Sequence, residues 1–428
     1  MIRCCETDSF KARIRALLRH LYILLMILIP TSCSLGTSPE LSPSPIAVTD
    51  ISSPTVPSQL VSTPSAVPAS PLPSPTEAQL SCPSSAAPDS SWVFSGPILA
   101  TLSNKEGYWA IEGPDKGEHP LSWIAGRPYM SPQGENVAFV ERSPSLRLVI
   151  AGISGQEKAS IDWRPEWGNR PDGWFNEDWI RLQRSEETPL AVRLVSPWTG
   201  QLQVLEPQLP NLHPDAASQY AAATYSPDLD LVIYMRLEEG TAQGQFALWD
   251  LRQDKLIWHS ESDIRQSHAM FTFSAWSPDG NMIAVTDSQS EYAQRGLRRQ
   301  DIVVLTRDGQ VAARTDFLDE FKEYWIGRDL FWSPDGKEVA FWMLPLDGDS
   351  LRAYQLYLLH VETNRLVDLC VQNDDIPGAA WSPDGEFLAA IGSVAEQKSL
   401  VILDPADGTS LTLPSIEPLE LIGWAASP

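Results

Sequence analysis

The sequence predicts an all-β fold of repeated four-stranded units closed into a ring, and three observations predict it. A short phrase recurs, as "AWSPDGNMIAV" at 275–285, "FWSPDGKEVAF" at 331–341 and "AWSPDGEFLAA" at 380–390, with looser copies "YMSPQGENVAFV" at 129–140 and "TYSPDLDLVIYM" at 224–235. Each copy reads as strand, tight turn, strand: Pro presets φ, Asp tolerates the next position, and Gly accepts the left-handed conformation that ends the turn. A second pair of apolar runs around a polar turn follows each copy, as in "FALWDLRQDKLIW" and "DIVVLTRDGQVAA", so each unit holds two hairpins and four strands. Helical periodicity is nearly absent.

The spacing of the phrase counts the units. Ser-Pro pairs stand at 131, 226, 277, 333, 382 and 427, with gaps of 95, 51, 56, 49 and 45 residues. The first gap is about twice the others and hides one unit, whose first hairpin is the degenerate "GWFNEDWIRLQR" at 173–184. The last phrase, "IGWAASP", supplies a first strand without a partner, while "PILATLSNKEGYWAIEGPDKGEHPLS" at 97–122 reads as a unit that lacks its first strand. Six internal units and one split unit make seven. Units of 40–55 residues with four strands are the mark of a β-propeller, in which sheets stand radially around an axis and ring closure protects their faces. The reading is a seven-bladed propeller over 92–428, closed by the C-terminal strand near Leu421–Ala426. A six-bladed ring is the alternative, because the unit between 160 and 206 is irregular.

The residues before Trp92 have a different character. Arg13, Arg15 and Arg19 precede the apolar run "LYILLMILIP" at 21–30, then Thr31, Ser32 and Cys33. Ten apolar residues are short for a bilayer span and suit an export signal. "IPTSC" resembles a bacterial lipoprotein signal, which implies cleavage after residue 32 and a lipid on Cys33; Pro30 departs from that pattern, and an uncleaved anchor is the alternative. Residues 33–91 are rich in Ser, Pro and Thr, with twelve prolines from Ser34 onward. Such a composition buries too little surface to fold. An extended chain of about 57 residues at about 3.1 Å each would reach roughly 170 Å, so the segment is expected to be a disordered stalk.

Charge and cysteines narrow the partners. The net charge is −24, and removing residues 1–32, which carry five basic and two acidic side chains, leaves about −27. A surface of that sign repels phosphate backbones and excludes nucleic acid as a partner. With Cys33 lipidated, Cys82 and Cys370 remain as an even pair in an oxidising compartment and are expected to form a disulfide.

The "WSPDG" words followed by an apolar strand resemble the TolB-type propeller repeat, which also occurs in prolyl-oligopeptidase propellers. The resemblance covers roughly 92–428, with Gln133 departing from the motif in one copy and Leu229 replacing its Gly in another. It implies fold more than function, since many activities use this architecture.

Candidate chemistry is sparse. Asp279, Asp335 and Asp384 recur about 50 residues apart, which spreads them around a ring of turns instead of converging on a metal, and the preceding Trp276, Trp332 and Trp381 are expected to pack between sheets. His119, His213, His259, His268 and His360 show no zinc-like spacing. The string "GISGQ" at 152–156 sits in a hairpin turn without the spacing of a serine-hydrolase elbow. "LDGDS" at 346–350 and "DPADG" at 404–408 lack a full calcium-loop pattern. The expectation is therefore a monomeric, non-enzymatic protein of the cell envelope, without metal or cofactor, that binds a protein, peptide or glycan. An enzyme with a metal or carboxylate site at the channel mouth, or a structural envelope protein, is the alternative.

Two stretches are candidates for binding. "DWRPEWGNRPDGWFNEDW" at 162–179 carries Trp163, Trp167, Trp174 and Trp179, which would stack on sugars or anchor a protein if exposed, or pack between blades if buried. "SQSEYAQRGLRRQD" at 288–301 carries Arg295, Arg298 and Arg299, a basic cluster suited to a carboxylate-rich partner. Strand alternation puts the hairpin turns on one face and the longer segments 236–245, 287–300 and 344–353 on the other, so the sequence points to that loop face, with its mouth of the axial channel, as the binding surface.

Overall fold

A computed structural model describes residues 82–85, 92–114, 116–142, 145–168, 170–182, 191–212, 223–237, 244–260, 274–288, 300–315, 324–346, 353–375, 378–394 and 397–427. Seven sheets of four antiparallel strands stand in a propeller ring. Blade 1 is Tyr129–Met130, Val137–Glu141, Arg147–Ala151 and Glu157–Asp162. Blade 2, the unit hidden in the long gap, is Pro171–Asn176, Trp179–Leu182, Val192–Val195 and Leu202–Leu205. Blade 3 is Thr224–Tyr225, Leu231–Leu237, Gly244–Asp250 and Lys255–His259. Blade 4 is Ser274–Trp276, Met282–Ser288, Gln300–Thr306 and Val311–Arg314. Blade 5 is Tyr324–Trp332, Glu338–Pro345, Tyr354–His360 and Arg365–Asn373. Blade 6 is Ala379–Trp381, Leu388–Val394, Gln397–Asp404 and Thr409–Leu413.

Blade 7 is split between the chain ends. Its first strand, Pro418–Trp424, pairs with Ile98–Leu102, which continues into Tyr108–Gly113 and Gly117–Pro120. Seven blades, not six, close the ring, and the closure is the one the orphan strand required.

The core is divided accordingly. Among the described residues seven apolar clusters lie one in each seam between neighbouring blades, because the middle strands carry apolar residues on both faces that must be covered. Between blades 4 and 5, for example, Ile302, Val304, Trp332, Phe341 and Tyr357 interdigitate. Burying a side chain of this size contributes about 1.5–3 kcal/mol.

The repeated phrase builds each turn in the same way. Ser226, Ser277, Ser333 and Ser382 are buried, and each hydroxyl accepts the backbone N–H five residues on, at 2.9–3.0 Å. The same hydroxyl donates to the Asp two residues later: Asp228, Asp279, Asp335 or Asp384, at 2.5–2.7 Å. Gly280, Gly336 and Gly385 take φ near +70 to +77°, and where the motif has lost its glycine Leu229 is held at φ +63°. A Cβ-bearing residue in this region costs about 1–2 kcal/mol.

Partial burial works to raise the pKa of all four carboxyls. The seryl hydroxyl and the backbone N–H groups outweigh it and leave them below the ordinary carboxylate range. A carboxylate whose native pKa is depressed stabilises the fold above its unfolded value, near pH 4, and loses that contribution as pH falls through the lower native value. Asp279→Asn and Asp384→Asn are therefore expected to melt below wild type at pH 7, with the gap closing toward pH 3. Thermal melts across that range check this; a gap constant with pH would contradict it.

The segment before the propeller is also tied down. Ser84–Ser85 adds a short parallel strand to the outer edge of blade 6, opposite Thr409 and Ser410. Cys82 is bonded to Cys370 in the last strand of blade 5, with the two Cα atoms 5.3 Å apart across a sequence separation of 288. Thus the end of the Ser/Pro-rich segment is held at blades 5 and 6 by the disulfide expected from the even pair of cysteines and by a short strand that was not expected. Trp92 and Phe94 then cover the seam between blades 6 and 7, packing on Phe387 and Trp424.

Candidate functional site

The first strand is the terminal strand of each blade's sheet, and its backbone is only half satisfied by its own sheet. Indoles supply part of the remainder across the seams. Trp174 of blade 2 donates Nε1–H to the Tyr129 carbonyl of blade 1, at 2.9 Å. Trp276 of blade 4 donates to Thr224 of blade 3, Trp332 of blade 5 to Ala275 of blade 4, and Trp381 of blade 6 to Phe331 of blade 5, at 3.3, 2.9 and 3.0 Å. Every acceptor stands two residues before a Ser-Pro pair, so the bonds form a repeating set of staples.

Between blades 2 and 3 the pattern fails. Blade 3 carries Tyr225 where blades 2, 4, 5 and 6 carry Trp, just as blade 1 carries Met130, and the Trp424 indole of blade 7 donates to the Gly96 carbonyl and not to blade 6. Blade 2 has Phe175, Asn176, Glu177 and Asp178 where a Ser-Pro turn would stand. No indole staple of this kind crosses that seam among the described residues. Asn176 crosses it instead, donating Nδ2–H to the Pro227 carbonyl at 3.1 Å.

A cavity of about 1060 Å³ opens here, centred on blades 2–4. Turn prolines 132, 227, 278, 334 and 383 from five blades reach its margin, which places one mouth on the channel axis among the Ser-Pro turns. Its walls carry Trp174, Phe175, Tyr225 and Trp276. The sequence assigned the turn face to scaffolding and recognition to the loop face. The structure puts this concavity among the turns because the first strands are innermost and their turns converge.

The polar groups of the cavity are unevenly matched. Arg181 pairs with Asp172 at 3.0 Å, and Arg193 donates to the Glu166 carbonyl, so both cations are engaged. Glu177 accepts the Gln133 backbone N–H at 2.7 Å, which links the turns of blades 1 and 2. No described Lys or Arg forms an ion pair with Glu135, Glu177, Asp178 or Asp279. Beside Glu177, Trp198 stands 42% exposed in the second-hairpin turn of blade 2, its Nε1 3.4 Å from the Glu177 carbonyl.

The residues singled out from sequence fall in different places. Trp167 is fully buried and Trp163 nearly so, edge to face with centroids 5.4 Å apart in the seam between blades 1 and 2. Neither offers a face to a ligand. Trp179 is half-buried in the seam between blades 2 and 3, and Trp174 is a staple that also walls the cavity. Arg295, Arg298 and Arg299, like Cys33, lie outside the described residues. Sequence reasoning missed Trp198, Phe175, Glu177 and Asp178. The signal for Trp198 was an aromatic in a second-hairpin turn, where other units place pairs such as Arg252–Gln253 and Arg307–Asp308.

Among the described residues no three His, Cys, Asp or Glu side chains are placed to hold a metal ion. No described helix is long and apolar enough to cross a membrane. Tyr129 is shifted upward, mainly by burial and against the pull of Arg127, and its hydroxyl donates to the Pro171 carbonyl at 2.9 Å, a structural role.

No protein-family model matches the sequence, and neither does any curated protein. Solved structures are similar in fold. TolB from Acinetobacter baumannii is 17% identical with a TM-score of 0.36, over 78% of this chain and 67% of that one. An oligogalacturonate lyase from Vibrio parahaemolyticus is 12% identical with a TM-score of 0.45, over 74% and 84%. A protein described as a putative 6-phosphogluconolactonase, from Bacteroides fragilis, is 14% identical with a TM-score of 0.42, over 77% and 96%. The chain is a seven-bladed β-propeller, with TolB among the solved structures it is similar to.

Proposed function

We propose that this chain is a non-enzymatic binding protein of the cell envelope, whose propeller holds a protein, peptide or glycan partner at the cavity of blades 2–4. The observation that carries the reading is the coincidence of the cavity with blade 2, the one described blade whose Ser-Pro turn is replaced outright. Regular Ser-Pro turns serve the ring, whereas blade 2 keeps its indole staple but replaces the turn with Phe175, Glu177 and Asp178, which line the cavity, and has the exposed Trp198 beside Glu177. Partly exposed aromatics over a concavity with a few charged groups suit recognition. The disulfide Cys82–Cys370 favours an oxidising compartment. The basic and apolar N-terminus ahead of Cys33 favours export and lipid anchoring, with residues 33–91 as the stalk. Arg295, Arg298 and Arg299 are a second candidate surface within the same proposal.

Capture of the partner by the full chain, crosslinked in its own cells, tests this reading. Trp198→Ala and Phe175→Ala are each expected to lower capture about fivefold, the effect of losing one aromatic contact of about 1 kcal/mol. Trp198 is exposed, so its loss should leave the melting temperature unchanged, which separates binding from folding. Undiminished capture by both variants would overturn the assignment.

A further inference from the structure

Resting on that reading of the cavity, we infer that its occupant is a cationic segment of a protein, presenting a Lys or Arg side chain to the rim at blades 1 and 2. Glu135 of blade 1 and Glu177 and Asp178 of blade 2 line the cavity here, as does Asp279 of blade 4. Asp279 is held ionised by its turn, where the Ser277 hydroxyl and the Asn281 backbone N–H bond its carboxylate. The two lining arginines are already engaged, by Asp172 and by the Glu166 carbonyl. Arg193 keeps its charge, but four lining carboxylates against two lining arginines, one of them paired with Asp172, leave the described rim net negative, which lowers its affinity for anions and favours a cation.

The apolar surroundings choose the kind of cation. Phe175 on the wall and Trp198 beside Glu177 give flat faces for the alkyl stem of a Lys or the plane of an Arg, and a cation over an indole gains beyond simple charge pairing. A small hydrated metal ion would use neither face. A neutral sugar would use the aromatics and leave the carboxylates without a counter-charge. The cavity, at about 1060 Å³, has room for several residues of an extended chain and not merely one ion.

The probe is a fluorescein-labelled (Lys-Pro)₃ peptide, compared by anisotropy with its (Glu-Pro)₃ counterpart on the full chain. Binding of the lysine peptide alone is expected. It should weaken about tenfold in the triple variant Glu135→Gln, Glu177→Gln, Asp178→Asn and about threefold in Trp198→Ala. The control Glu112→Gln, Glu362→Gln removes two exposed carboxylates elsewhere and should change affinity less than about twofold. Equal losses in the triple variant and the control would show diffuse attraction to an acidic protein and overturn the inference. Equal binding of the two peptides would also overturn it. If cellular capture falls with Trp198→Ala but not with the triple variant, the binding cavity stands and the cationic occupant does not. If neither variant changes capture, the cavity reading itself fails.

Discussion

Trp332→Ala is expected to lower the free energy of unfolding by about 3–5 kcal/mol, and Trp332→Phe by about 1–2 kcal/mol. The indole is buried in the seam between blades 4 and 5, against Ile302, Val304 and Phe341, so truncation to Ala leaves a cavity that close-packed neighbours fill only in part. Phe restores most of the volume but has no N–H, so the Ala275 carbonyl of blade 4 loses its donor. The difference between the two variants measures the staple mainly through what it satisfies. Denaturant midpoints of wild type and both variants check the order, with Trp198→Ala, an exposed indole, as the reference expected to fall within about 0.5 kcal/mol of wild type. A Trp332→Ala protein within about 1 kcal/mol of wild type would show that the seams do not carry the stability assigned to them.

Removing the disulfide, as Cys82→Ser with Cys370→Ser, is expected to cost on the order of 3–5 kcal/mol. The bond joins residues 288 apart, and constraining so long a loop removes much of the freedom of the unfolded chain. Its placement adds a second effect. The ring closes through Ile98–Leu102 on Pro418–Trp424, and the chain that leads into this clasp is held first by Cys82 and Ser84–Ser85. A two-residue strand does not hold itself in place, so without the bond the segment around Trp92 and Phe94 should loosen next. Amide exchange in 92–102 should then quicken in the double variant more than exchange in the blade 4 strands. Coincident midpoints and coincident exchange would contradict this account of the bridge.

The architecture was legible because the repeat carries its own ruler. Ser-Pro spacing found the hidden blade, and the orphan "IGWAASP" required the closure that Trp424 and Ile98 make. Turn chemistry was legible to the level of single residues, since Ser, Pro, Asp and Gly each have one physical task in that turn. What was not legible depended on side-chain direction across seams. Trp163 and Trp174 look alike in sequence, yet one is packed away and the other walls a cavity. Ser84–Ser85 joined blade 6 from within a Ser/Pro-rich stretch, where a strand of two residues leaves no periodic trace. The degenerate unit was visible, but which of its side chains meet those of blades 1, 3 and 4 at the cavity is decided only in the closed ring.

On the proposed reading, recognition sits at the cavity of blades 2–4, beside the replaced turn of blade 2. A photoreactive benzophenone side chain tests this, introduced one position at a time in place of Trp198 beside the cavity-lining Glu177, of Asp407 in the equivalent turn of blade 6, and of Arg298. In intact cells one partner should crosslink from position 198, and neither of the other positions should yield it. Crosslinking of the same partner from 298 or 407, with none from 198, would place recognition elsewhere on the ring.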